Sequence, residues 1–123
     1  MQKEIMPLRN YAHIGDAVWE VFVRDYTILQ TSNAKLLHKI TTDRVKASFQ
    51  KDMLEFIMPN LTEEEQELAR RGRNLLIPVA RRSIQHEYRP ATAFEVLIGF
   101  WYLHDKPRLD EILAMIKNTE FFS

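Results

Sequence analysis

The sequence predicts an all-α fold, on three observations. Ile14, Ala17, Val18, Val21 and Phe22 recur at i, i+3, i+4, i+7 and i+8, the single apolar stripe of an amphipathic helix. No segment alternates apolar and polar residues as a half-buried strand does, and none repeats with a period of about 20 to 50 residues. Three glycines and five prolines are too few for a turn-rich β-sandwich. With 123 residues, 46% of them apolar, the chain is expected to form a single domain over residues 1–123 around one core.

The elements are read in order. A first helix is expected just after Pro7, with Asn10 as its cap, and runs to about Leu29. The polar Thr31–Ser32–Asn33 turn follows. A second helix extends from about Ala34 to Ile57, with Leu37, Ile40, Val45, Phe49, Leu54 and Ile57 among its apolar positions, and Pro59 stops it. Thr62 with Glu65 has the spacing of a capping box, so a third helix opens there and reaches about Gly72. Leu75 to Tyr88 has Pro78, mixed charge and no clean period, and reads as a loop with at most one helical turn. Pro90 suits the first turn of a fourth helix, ending at Leu103, and Pro107 that of a fifth, ending near Asn118. Phe121 and Phe122 are expected to dock back on the core.

Composition excludes several classes of protein. There are no cysteines, hence no disulfide and no thiolate zinc site. The longest apolar run, Val96–Leu103, is eight residues, far short of the ~20 needed to span a bilayer. No apolar stretch follows the first charges, so no signal peptide and no membrane association are expected, and the location expected is cytoplasmic. Basic and acidic residues balance at 17 each, but unevenly along the chain. Lys35, Lys39, Arg44, Lys46 and Lys51 form one basic cluster, and Arg70, Arg71, Arg73, Arg81, Arg82 and Arg89 a second. The acidic run of Glu63, Glu64, Glu65 and Glu67 lies between them. The two clusters read either as solvated helix faces or as one basic surface for a polyanion.

Two carboxylates stand out. Glu95 is the only charge in the helix from Ala91 to Leu103, which is apolar nearly all round and is therefore buried or shared with a partner subunit. Asp16 lies among Ile14, Ala17 and Val18, just after Gly15. Glycine inside a helix costs about 1 kcal/mol against alanine and is tolerated where another backbone comes close. A buried carboxylate must be paired, protonated or bound to a cation. Either Asp16 and Glu95 meet and hold a divalent metal, whose hard oxygen ligands and retained waters suit magnesium, or each pairs with an arginine such as Arg73 or Arg89.

The stretch Tyr11-Ala-His-Ile-Gly-Asp-Ala-Val-Trp-Glu-Val-Phe-Val-Arg24 resembles the signature helix of the ribonuclease III family, whose Gly-Asp-Ala core carries a metal-binding aspartate. Thr92-Ala-Phe-Glu-Val-Leu-Ile-Gly99 is similar to that family's second acidic helix, where a glutamate completes the site. Leu37-His-Lys39 with Val45, Ala47 and Gln50, then Arg71-Gly-Arg-Asn74, then Tyr88-Arg89, resemble its short branch, mini-ribonuclease III. Gly-Asp-Ala alone is a weak signal; the ordered set over about residues 7 to 118 is a strong one. At 123 residues the chain is expected to lack the double-stranded-RNA-binding domain that longer members of that family carry. Those relatives also have a glutamate four residues before the signature aspartate, where Ala12 stands here, and an aspartate three residues before the second-helix glutamate, where Thr92 stands. The short branch shares these losses, which leave Asp16 and Glu95 as the ligand carboxylates.

The resemblance implies an all-α homodimer with a valley for double-stranded RNA. It also implies a magnesium-dependent endoribonuclease, with manganese as a substitute metal, acting in maturation of the 23S ribosomal RNA precursor with ribosomal proteins as helpers. The alternative is a non-catalytic, ribosome-associated RNA-binding relative. Asp16 and Glu95 are the expected catalytic and metal residues. Glu20, one turn beyond Asp16, is either a base acting on metal-bound water or a surface charge. Arg71, Arg73, Asn74, Arg81, Arg82, Arg89, Lys39 and Lys46 are the expected RNA contacts, whereas Arg70 and Lys51 are expected to pair with the acidic run. Apolar surface for the dimer is expected around Trp19 and along the Ala91–Leu103 helix. His13, His38, His86 and His104 have no metal-ligand spacing, so the sequence does not support a nucleophilic triad.

Overall fold

The computed structural model of the chain describes residues 1–76, 83 and 85–123. Its helices are α1 (Leu8–Thr27), α2 (Ala34–Val45), α3 (Ala47–Ile57), α4 (Glu63–Arg73), α5 (Gln85–His104) and α6 (Lys106–Lys117), with 3₁₀ turns at Met58–Asn60 and Glu120–Phe122. No strand occurs among the described residues.

Local chemistry sets most helix ends. Asn33 Oδ1 accepts from the Leu36 N–H at 2.9 Å and opens α2. Thr62 and Glu65 form the expected reciprocal capping box at 3.1 and 2.9 Å. Asp105 Oδ1 accepts from the Arg108 N–H at 3.2 Å, with a proline in the first turn of α6. Asn10 is not a cap: Pro7 occupies the N-cap position and Asn10 is already helical, bonded to the Pro7 carbonyl at 2.9 Å.

Two elements differ from the sequence reading. The single helix expected from Ala34 to Ile57 is broken at Lys46, whose backbone is extended at φ −69°, ψ 158°. No glycine or proline causes the break. The Arg44 carbonyl accepts from Trp19 Nε1 at 2.9 Å and the Val45 carbonyl from Gln50 Nε2 at 3.1 Å. Side-chain donors thus satisfy carbonyls that a continuous helix would have used internally. The break frees α3 to turn Phe49, Met53, Leu54 and Ile57 into the core, while α2 buries no residue. α5 extends N-terminally to Gln85, taking Pro90 inside the helix. Of the stretch expected to be a loop, residues 77–82 and 84 lie outside the described residues.

α5 is the central helix. It packs on α1, α3 and α4, and to a lesser extent on α6. Phe94, Val96, Leu97, Ile98, Phe100 and Trp101 are all buried in this chain's own core. Trp19 is 0% exposed and stacks on Phe22, with Phe94 and Phe122 edge-on. Trp19 and the inner residues of α5 are therefore spent on this chain's own core, and of the apolar surface expected for a partner subunit on these two helices Val21, 59% exposed, and Leu103, 44% exposed, remain free. Phe122 docks on the core as expected, whereas Phe121 stays 43% exposed.

The α1–α5 crossing is a backbone contact. A Cβ on Gly15 would lie 1.9 Å from the Glu95 carbonyl oxygen, and one on Gly99 1.9 Å from the Tyr11 carbonyl oxygen. Gly99→Ala should therefore destabilise the fold by at least about 3 kcal/mol in urea unfolding. The roughly 1 kcal/mol that alanine gains in helix propensity does not offset this. Gly72→Ala, whose Cβ would meet the Ala93 Cα at 3.1 Å, should cost about 1 kcal/mol or less. A Gly99→Ala protein with a wild-type midpoint would contradict the crossing.

Candidate active site

The crossing brings two helix faces to one cleft of about 210 Å³. α1 supplies Arg9, Ala12, His13 and Asp16, spaced i, i+3, i+4 and i+7 along one stripe. α5 supplies Tyr88, Thr92 and Glu95, again one stripe, together with Arg89. The end of α4 closes one side with Gly72 and Arg73, followed by Leu75 and Leu76. Gly72 is small enough to let α4 lie against Ala93 and Val96. Ala12 and Thr92 line this same cleft.

Asp16 is exposed at the mouth, where burial had been expected, and Glu95 is mostly buried. Burial first, and then the neighbouring Asp16 charge, push the Glu95 carboxyl up to about 8. A hydrogen bond shared with Asp16 also favours the protonated form, while the Gln50 amide pulls the other way. No arginine neutralises the pair among the described residues. Arg89 Nη1 instead donates to the Arg73 carbonyl at 2.8 Å and reaches the Leu75 carbonyl at 3.5 Å. Arg9 Nη2 donates to the Leu76 carbonyl. These two arginines tie the segment after α4 to α1 and α5.

Two facing carboxylates without a protein cation are what a hard divalent ion would relieve. No cluster of three or more His, Asp or Glu suited to a metal is found among the described residues. An ion held by Asp16 and Glu95 would thus keep most of its waters, the habit of magnesium rather than of a protein-caged ion. The residues present fit such a metal.

The other sequence-predicted residues distribute as follows. Arg73 and Arg89 line the cleft, and Asn74 closes α4 as its C-cap residue. Arg71 is paired with Glu4 of the N-terminal segment, and the carboxylate holds its guanidinium pKa up. Lys39 lies 2.6 Å and Lys46 3.9 Å from Asp43, away from the cleft lining. Glu20 is bonded to Arg24 at 2.6 Å and does not line the cleft. Arg70 pairs with Glu67 of the acidic run as expected, whereas Lys51 pairs instead with Glu55 on its own helix, one turn away. Arg81 and Arg82 lie outside the described residues. Sequence reasoning missed Arg9 as a cleft residue and gave His13 no role there. Their spacing of seven and three residues before Asp16 was the available signal.

Comparison with known proteins agrees with this geometry. Residues 9–106 match the family model described as Ribonuclease III domain. The chain is 42% identical over 115 residues to the Mini-ribonuclease 3 of Gloeobacter violaceus, covering 94% of this chain and 85% of that protein. It is 40% identical over 121 residues to the Mini-ribonuclease 3 of Clostridium tetani, covering 94% and 79%. A crystal structure of a Fusobacterium nucleatum protein superposes with a TM-score of 0.83 at 30% identity, covering 97% of this chain and all of that one.

The Glu95 carboxyl makes stability depend on pH in a definite direction. Below the ordinary value of 4.5 both folded and unfolded chains hold the proton. Between there and about 8 only the folded chain keeps it, so stability falls as pH rises through that window and then levels off. Glu95→Gln removes this dependence. Without metal, the variant should melt with the wild type near pH 4 and be more stable by a few kcal/mol near pH 8. Parallel melting curves across that range would refute the coupling.

Proposed function

From the premise that this chain belongs to the ribonuclease III family and is an endoribonuclease acting on double-stranded RNA, we propose that it hydrolyses phosphodiesters in a magnesium-dependent reaction at Asp16 and Glu95. The observation that carries this reading is the meeting of both carboxylates in one open cleft, with no protein cation between them among the described residues. Magnesium, when bound, supplies an acidified water and relieves charge on the leaving oxygen, and manganese would serve in its place. Asp16 and Glu95 hold and orient the ion. Gly15 and Gly99 keep the two carboxylates on abutting backbones.

Duplex RNA is read by shape through phosphates and 2′-hydroxyls. Arg73, Asn74 and Arg89 at the cleft are the nearest contacts for it. Arg81 and Arg82 follow α4 in sequence and extend the basic stretch. Arg71, Lys39 and Lys46 would contact phosphate by exchanging Glu4 or Asp43 for it. The substrate we favour is the 23S ribosomal RNA precursor in the cytoplasm, with ribosomal proteins as helpers. Cutting both strands calls for a two-fold homodimer. The apolar residues left exposed where α1 ends and α2 begins, Ile28, Leu29 and Leu36, offer surface for it.

Asp16→Asn tests the reading. It removes ligand charge with almost no change of shape, so cleavage of duplex RNA should fall at least about 10²-fold while the metal-free melting temperature stays within a few degrees. Chelation of divalent ions should abolish wild-type cleavage, and added magnesium should restore it. Wild-type rates in either experiment would place the metal elsewhere.

A further inference from the structure

Gln50 lies beneath the cleft and outside its lining. It is 2% exposed, on α3, in a core otherwise almost wholly apolar. Its Nε2 donates to the Val45 carbonyl at 3.1 Å, and the Gln50 side chain is also the polar neighbour that favours the charged form of the Glu95 carboxyl. Its Oε1 is buried with no hydrogen-bond partner, alone in this among the side-chain polar atoms of the described residues. Leaving such an acceptor unsatisfied is destabilising. A methionine of similar length would fill the space and remove the orphan acceptor, but would leave the Val45 carbonyl without its donor. The bond to Val45 accounts for the amide nitrogen at the break, but not for the orphan oxygen or for the approach to Glu95. What it does supply is an uncharged donor, fixed to backbone at the α2–α3 break and aimed at the acid.

We infer that Gln50 is a positioning residue for the metal site, holding the Glu95 carboxylate in its ligating orientation from inside the core. A lysine or arginine there would hold Glu95 equally well but would form an ion pair with it that competes with the metal. An amide orients the carboxyl without supplying a rival cation. Partners of this kind typically set metal affinity by 10- to 100-fold. This inference rests on the proposed metal reading of Asp16 and Glu95.

The test is manganese binding to the full chain, followed by electron paramagnetic resonance without RNA. Gln50→Met should weaken manganese binding about tenfold or more, with a metal-free melting temperature only a few degrees below wild type, because the Val45 carbonyl loses its donor. On a Glu95→Gln background the same change should cost no further affinity, because its partner is gone. Gln50→Asn, too short to hold Val45 and Glu95 together, should also bind more weakly while folding. Wild-type manganese affinity in Gln50→Met or Gln50→Asn would overturn the inference. So would an equal loss with and without Glu95. A wild-type chain that binds no manganese would overturn the metal reading itself and this inference with it.

Discussion

The structure depends on one contact, the backbone-to-backbone crossing of α1 and α5 at Gly15 and Gly99. Each glycine faces a carbonyl oxygen of the other helix so closely that no side chain fits between. Helices normally pack about 8–10 Å apart, held off by their side chains. Removing those side chains at two positions lets the axes close in. The residue after Gly15 and the residue four before Gly99 are then forced to share one cleft. Those residues are Asp16 and Glu95. The contact that allows the core to close thus also creates the electrostatic strain of the site.

Much of this was legible in the sequence. The apolar stripe of α1, the capping box at Thr62 and the misplaced carboxylates each follow from local pattern, and Gly15 already signalled a close approach. What was not legible arose from tertiary hydrogen bonds. Nothing in Thr42 to Ala47 breaks a helix by propensity. The break at Lys46 exists because Trp19 and Gln50 reach the Arg44 and Val45 carbonyls from outside, and neither partner is near in apolar period. Trp19 misled for a related reason. An aromatic residue on an amphipathic helix can face a partner subunit or a neighbouring helix, and only the folded position of α3 and the C-terminal Phe122 decides between them.

The charge pattern was only half informative. Clustering along the chain identified Arg73 and Arg89 at the cleft, but it could not distinguish them from cations held by local acids. Lys39 and Arg70 have carboxylates four and three residues away and bond to them. Exposed pairs of this kind contribute little to stability and are screened by salt. Arg9 and Arg89 are used differently, as donors to carbonyls of residues 73–76. Their guanidinium groups fix the chain that leaves α4 while keeping positive charge beside two acids, without pairing with them.

That last distinction explains why the site can stay acidic in so arginine-rich a neighbourhood. A guanidinium has five donors and needs acceptors. An arginine within reach of Asp16 or Glu95 would ordinarily take a carboxylate as its first choice. Here backbone carbonyls hold the guanidinium groups, at the end of a helix where such carbonyls lack intrahelical partners. Arg89 bonds the Arg73 and Leu75 carbonyls, and α4 ends at Arg73 beside the acids. The unsatisfied end of one helix thus occupies the cations that would otherwise quench the carboxylates. Glu95, held at about 8 by burial and by Asp16, keeps its proton in the absence of a cation, and a divalent ion, rather than a side chain, is suited to displace it.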